Sequence, residues 1–229
     1  SECSSRRYFS PSGELILETN YPPHTVYMVQ REEFDRELGR QAALAGVDIH
    51  LNTKVTGLFK DQGVISGVTT SSREMPVVFG KVVIVASGTR GRLSGIPKQE
   101  LMSYPGETAF GGFLVELVGI SDIEAGVLET YLGEVSDRGT NVLWTCNENS
   151  GFLGFTDMSW YARLMRGDSF VSQKLEKARP VQILGSTSGS ECGRLLKRVV
   201  ASNLMLVGDA AGFNSIVHAI VTGRYAGEV

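Results

Sequence analysis

The spacing of apolar positions changes character along the chain, and each change predicts an element. Between Arg31 and Ala45, the residues Phe34, Leu38, Ala42 and Ala45 recur at steps of three and four, the signature of one helix face. Glu32 and Glu33 suit the first turn and Gly46 is placed to end the helix, which is predicted over 31–45. Residues 25–29 before it read as an extended lead-in, and 47–51 after it as a strand. Residues 54–59 and 64–70 flank Asp61-Gln62-Gly63, a hairpin turn, with 75–79 as a third strand. The run KVVIVA at 81–86 is almost unbroken, as expected of a parallel-sheet strand buried on both faces.

Past Gly95 the pattern becomes short strands, over 110–118, 126–133, 141–146 and 151–156, with no long helix between them. This predicts an inserted antiparallel sheet. Helices are expected over 160–166, 169–178 and 216–226, and a buried strand over 204–207. The fold class is therefore mixed α/β. A discontinuous Rossmann-like domain would comprise 1–95 and 185–229, and an antiparallel β domain 96–184.

Composition narrows the function classes. Of 229 residues, 42% are apolar and 21% charged, which suits a globular domain and excludes disorder. A net charge of -3 without a basic stripe argues against nucleic acid as a partner. Three scattered cysteines (Cys3, Cys146, Cys192) and three isolated histidines (His24, His50, His218) fit neither a disulfide framework nor a metal centre. A cytoplasmic setting is expected. Glycine stands out at 27 residues, denser than the ordinary ~7%. Tight turns or backbone brought close to a ligand would account for it.

The most informative segment is Leu204 to Gly212, LMLVGDAAG. An apolar strand ends at a glycine and an acid, then small residues lead towards a helix. Such a turn seats a ligand: Asp209 can accept hydrogen bonds from sugar or polyol hydroxyls, and free N–H groups follow. A plain strand-to-helix turn with a capping Asp fits the same residues. A second glycine-rich strand end, 86–92, could share one crevice with it, or form an exposed loop. Arg31 opens a helix, where a cation opposes the dipole, so an anion there would compensate it; an ordinary surface arginine fits the same position at least as well. Glu32, Glu33 and Asp35 read as a solvated helix face. Gly185-Ser186-Thr187-Ser188-Gly189 is no nucleophile elbow, because its centre is Thr187.

Taken together, Arg31, Phe34-Asp35, Leu38, Ala45-Gly46 and Val55, the 83–92 region, Tyr131-Leu132-Gly133 and LMLVGDAAGF resemble, in order and spacing, the FAD-dependent geranylgeranyl reductases. These are flavoproteins of the aromatic-hydroxylase fold. The resemblance implies FAD as cofactor, with Arg31 at its ribityl–phosphate region, Val55 at the adenine and Asp209 on ribityl hydroxyls. Gly88, Gly208 and Ala210 would line the cofactor, and Gly212 and Ile216 would lie against the flavin ring. Phe110, Phe113, Trp144, Phe152 and Phe155 would wall in an apolar or lipid substrate, although core packing explains these aromatics as well. Reduced flavin would deliver hydride to a prenyl double bond, so no catalytic side chain is singled out. NADPH or ferredoxin would donate electrons, and peripheral membrane contact would give access to the lipid. The family's G-x-G-x-x-G fingerprint has no counterpart here, Ser87 stands where an Asp is usual, and Ser215-Ile216 follows GDAAG with no Pro/Gly-rich loop. Whether FAD is held by this chain itself is thereby left open. The rival readings are a flavin monooxygenase or halogenase on the same fold, and a flavin-free binding protein.

Overall fold

A computed structural model describes residues 1–88, 110–133, 140–155, 158–188, 198–213 and 215–228. The strands are β1 (Ser5–Phe9), β2 (Leu15–Asn20), β3 (Val55–Asp61), β4 (Val64–Thr70), β5 (Val77–Phe79), β6 (Val83–Val85), β7 (Phe110–Val118), β8 (Val127–Leu132), β9 (Thr140–Thr145), β10 (Ser150–Phe155), β11 (Arg179–Ser188), β12 (Val200–Ala201) and β13 (Leu204–Leu206). The helices are α1 (Arg31–Leu44), α2 (Met158–Leu164), α3 (Phe170–Lys174) and α4 (Ile216–Gly227), with one 3₁₀ turn at Gly208–Ala211. The mixed α/β class and the antiparallel sheet are as the sequence implies. The chain divides into two compact units, 1–47 with 111–186 and 48–110 with 187–229.

The first unit is built on a seven-stranded sheet in the order β11-β7-β10-β9-β8-β1-β2. Strands β7, β10, β9 and β8 pair antiparallel in turn, whereas β1 joins β8 in parallel and then turns back into β2. Residues 1–47, expected in the α/β domain, therefore cluster with the large sheet. Neither β1 nor β2 nor β11 is announced by the sequence pattern. Period-two alternation puts Val115, Leu153 and Leu143 in one cross-strand row, where Leu164, Val171, Leu175 and Ala178 cover them.

The same row continues to Glu129, which is buried. Lys174 of α3 answers it: its ammonium lies 3.0 and 2.8 Å from the two carboxylate oxygens and donates to the Asp122 carbonyl at 2.8 Å. The Tyr131 hydroxyl donates to the same carboxylate, and the rings of Phe9 and Phe170 face the ammonium at 5.4 and 5.3 Å. Burial, and then the Glu129 charge, hold the Tyr131 phenol well above its ordinary pKa. Removing water from both charges is costly, so the pair persists because every strong donor and acceptor in it finds a partner.

Helix α1 forms where predicted, fastened by Arg31–Asp35 and Glu37–Arg40 pairs one turn apart. It buries no residue, and Leu38 and Leu44 face outward. The lead-in at 25–29 is reduced to a single bridge between Tyr27 and Glu2.

The second unit holds two three-stranded sheets, β3-β4-β5 and β12-β13-β6. The hairpin of β3 and β4 turns at Gln62 and Gly63, both at positive φ (46° and 85°), the geometry that matches strand twist. The core is small: Ile65, Val85, Leu204, Leu206 and Ala211. Two expectations are corrected here. Residues 47–51 form no strand; Leu51 is 79% exposed, and apolarity alone does not make a strand without a ladder partner. The 81–86 run yields only β6, buried on one face: Val85 is sealed while Ile84 is 46% exposed.

Candidate functional site

Strands β6 and β13 run parallel, pairing Val83 with Leu204 and Val85 with Leu206, so both leave the sheet at the same edge. The pairing extends one residue further, as the Val207 N–H donates to the Val85 carbonyl at 3.1 Å. The chain then turns at Gly208, whose φ of 56° lies in the left-handed region. A Cβ here would stand 3.2 Å from the Ala219 Cβ, so glycine is needed both for the turn and for the close approach of α4.

Gly208–Ala211 make one 3₁₀ turn, closed by Gly212 at φ 87°. The Gly212 N–H donates to the Asp209 carbonyl at 3.1 Å, and that of Phe213 to the Gly208 carbonyl at 3.2 Å. The Gly208 N–H donates to the Thr222 hydroxyl at 3.0 Å, which in turn donates to the His218 carbonyl at 2.7 Å. The amides of Asp209 and Ala210 open the turn and have no intrahelical acceptor. The Asp209 side chain is half-buried and meets no partner among the described residues. Gly88, just after β6, faces open space among the described residues. Ser215 caps α4 by accepting from the His218 N–H at 3.1 Å, which leaves the first amides of that helix, at Ile216 and Val217, without intrahelical acceptors.

Gly88, Gly208, Asp209, Ala210, Gly212 and Ile216 thus gather where β6 and β13 end. Val55 belongs to the other sheet of this unit, where it opens β3 opposite Thr70. Arg31 lies in the first unit and is already paired: its guanidinium donates to both Asp35 oxygens at 3.2 and 2.9 Å. The compensating anion foreseen for Arg31 is therefore the helix's own carboxylate. Arg90, Arg92 and Cys192 lie outside the described residues.

The five aromatic positions all lie on strands of the large sheet. Phe113 packs against the core cluster, and Phe155 is its register partner. Position 152 pairs with 144 and 144 with Leu128, which puts this row on the face opposite Leu143 and Leu153. For Phe110, Trp144 and Phe155 only the backbone position is described. Two features escape the sequence reading. Thr222 is hidden as one hydroxyl in an apolar helix, its spacing of four from His218 being the available sign. The Glu129–Lys174 pair is hidden because charge ordinarily signals exposure.

No family model matches the chain. It is similar over 97% of its length, at 30% identity, to a digeranylgeranylglycerophospholipid reductase of Methanoculleus marisnigri. Over its full length it is 25% identical to one of Thermoplasma acidophilum. It spans about three fifths of these curated relatives, 59% and 61% of their lengths. Among solved structures, a geranylgeranyl bacteriochlorophyll reductase-like protein of Thermoplasma acidophilum superposes with TM-score 0.80 over the whole chain and 61% of its own, at 21% identity. The FAD-dependent chondrochloren halogenase of a myxobacterium follows at 0.68, over 99% of this chain and 60% of its own, at 16% identity. The resemblance to geranylgeranyl reductases is thereby borne out, and the fold is that of FAD-dependent Rossmann-like flavoproteins. Asp209, without a partner among the described residues, and the two amides beside it are of the chemistry that hydrogen-bonds hydroxyl groups. No helix among the described residues is long and apolar enough to cross a membrane.

Proposed function

We propose that this chain is part of an FAD-dependent oxidoreductase that reduces carbon–carbon double bonds of an isoprenoid, geranylgeranyl-type lipid. One observation carries the reading: at the ends of paired strands, Asp209 and two amides that have no acceptor or donor partner among the described residues, in a chain that resembles named reductases along its whole length. Bound FAD would supply the hydride. The protein's part is to hold and to shield. Asp209 would accept hydrogen bonds from ribityl hydroxyls, and the Asp209 and Ala210 amides would donate to the cofactor's electron-rich atoms. The Gly88 and Gly212 backbones would leave room for it, Ile216 and the start of α4 would face its ring, and Val55 would meet the adenine. On the large sheet, Leu128 and Phe152 suit an apolar chain better than Phe113, which packs against the core. Electrons would come from NADPH or ferredoxin, and peripheral contact with a membrane would bring the lipid within reach.

The test begins with the natural-length protein, titrated with FAD and followed by flavin absorbance. The flavoprotein is then reduced with dithionite and mixed with a geranylgeranyl lipid. Reoxidation of the flavin in step with saturation of the chain supports the proposal, while a reduced flavin that never yields electrons to any prenyl lipid defeats it. Likeness to a halogenase makes oxygen the control: consumption matched to an added aromatic substrate would move the protein to the monooxygenase or halogenase chemistry. A natural-length protein with no affinity for FAD would be a flavin-free binding protein.

A further inference from the structure

We infer that Thr222 is a positioning residue for the GDAAG turn. It takes up the Gly208 amide and leaves the Asp209 and Ala210 amides as the ones offered to a ligand. The inference rests on the flavin reading only for what that ligand is. In resemblance to its relatives the whole glycine turn is expected to touch the cofactor, yet the geometry divides it. The Gly208 N–H is consumed within the protein, donating to Thr222 Oγ1 at 3.0 Å. That hydroxyl cannot swing away freely, because its own proton is directed to the His218 carbonyl at 2.7 Å, with the Ala219 carbonyl at 3.3 Å.

Three features therefore converge on one turn of α4: the Gly208 amide on Thr222, the approach of Ala219 that leaves no ordinary room for a Cβ at Gly208, and the Phe213 ring 5.8 Å from the His218 ring. They fix the residue before Asp209 and the residues after it, so the carboxylate between is aimed by α4 and not by its own sequence neighbours. A hydroxyl at position 222 suits this because one compact group accepts from Gly208 while donating to the helix behind it. Valine at 222 would have the same shape and keep the apolar packing, but would leave the buried Gly208 N–H without an acceptor.

The test compares Thr222→Val, Thr222→Ser and Thr222→Ala, with circular dichroism to establish that each folds. In the flavin-free protein the Gly208 amide should exchange its proton about tenfold faster in T222V and T222A, with T222S close to wild type. Equal protection in all three folded variants would overturn the inference. The second arm is FAD titration of the natural-length protein, where T222V should weaken binding about tenfold and T222S should restore it. Undiminished FAD binding in T222V, with Gly208 deprotected, would also overturn it, since the turn would then not need aiming. If wild type itself ignores FAD while exchange follows the hydroxyl, the flavin reading fails and the clamp stands.

Discussion

The two units bury their residues by different means. In the seven-stranded unit, a row of Val115, Leu153 and Leu143 is wholly sealed by α2, α3 and the turn after them, and the seal is tight enough to enclose a carboxylate and an ammonium. The unit that carries the GDAAG turn has only a small apolar cluster around Val85, Leu204 and Leu206 among the described residues and leaves apolar side chains of β6 and α4 outside, Tyr225 among them at 65% exposure. The first holds its shape from within. The second keeps backbone groups and one carboxylate at its strand ends without partners among the described residues, which is the arrangement a ligand can exploit.

The comparison breaks or sharpens under substitution. Lys174→Met should have the largest effect, about 3–5 kcal/mol lost in denaturant unfolding, because Glu129 is left buried and charged without a cation. A Lys174→Met, Glu129→Leu double variant should recover most of that loss, and failure to recover would mean the pair does more than satisfy itself. Next, Leu153→Ala should cost about 3 kcal/mol, and Leu206→Ala in the smaller core less. An equal or larger cost at Leu206 would overturn the contrast. Asp209→Ala should leave unfolding within about 0.5 kcal/mol of wild type. It should nonetheless weaken FAD binding by about tenfold or more in the natural-length protein, measured by absorbance titration.

The smallest effect concerns pH and α1. The Glu37 carboxyl is held at about 2, first by Arg40 and then by Gln41. A depressed carboxylate contributes fully above the unfolded value near 4.5, and its contribution fades as pH falls through the folded value. Acid titration followed by circular dichroism should therefore show a slight loss of helix between those limits, absent in Glu37→Gln.

What the sequence makes legible is local. The hairpin of β3 and β4 follows from Asp61-Gln62-Gly63, helix α1 from its three- and four-residue spacing, and the existence of a turn after β13 from a glycine following an apolar strand. What it hides is decided at a distance. The SRRYF of β1 carries two arginines and reads as surface, yet it pairs along its length with β8. Residues 47–51 have every local mark of a strand and no ladder partner among the described residues. Glu129 and Lys174 look solvated until Lys174 comes to lie under the sheet. In the candidate site, Gly208, Asp209 and Gly212 were visible as a motif. Thr222 becomes visible only when α4 is seen to return across the turn.

The parallel union of β1 with β8 has a consequence for how the chain acquires this shape. Arg6 and Thr130, which share a 3.1 Å hydrogen bond, stand 124 positions apart in sequence. At ordinary synthesis rates of about 5–20 residues per second, β1 and β2 leave the ribosome many seconds before β8 exists. During that wait β1 and β2 have only each other to pair with, and a two-stranded ribbon is marginal alone. The large sheet should accordingly form late and slowly, and it is in that interval that a chaperone would find its client.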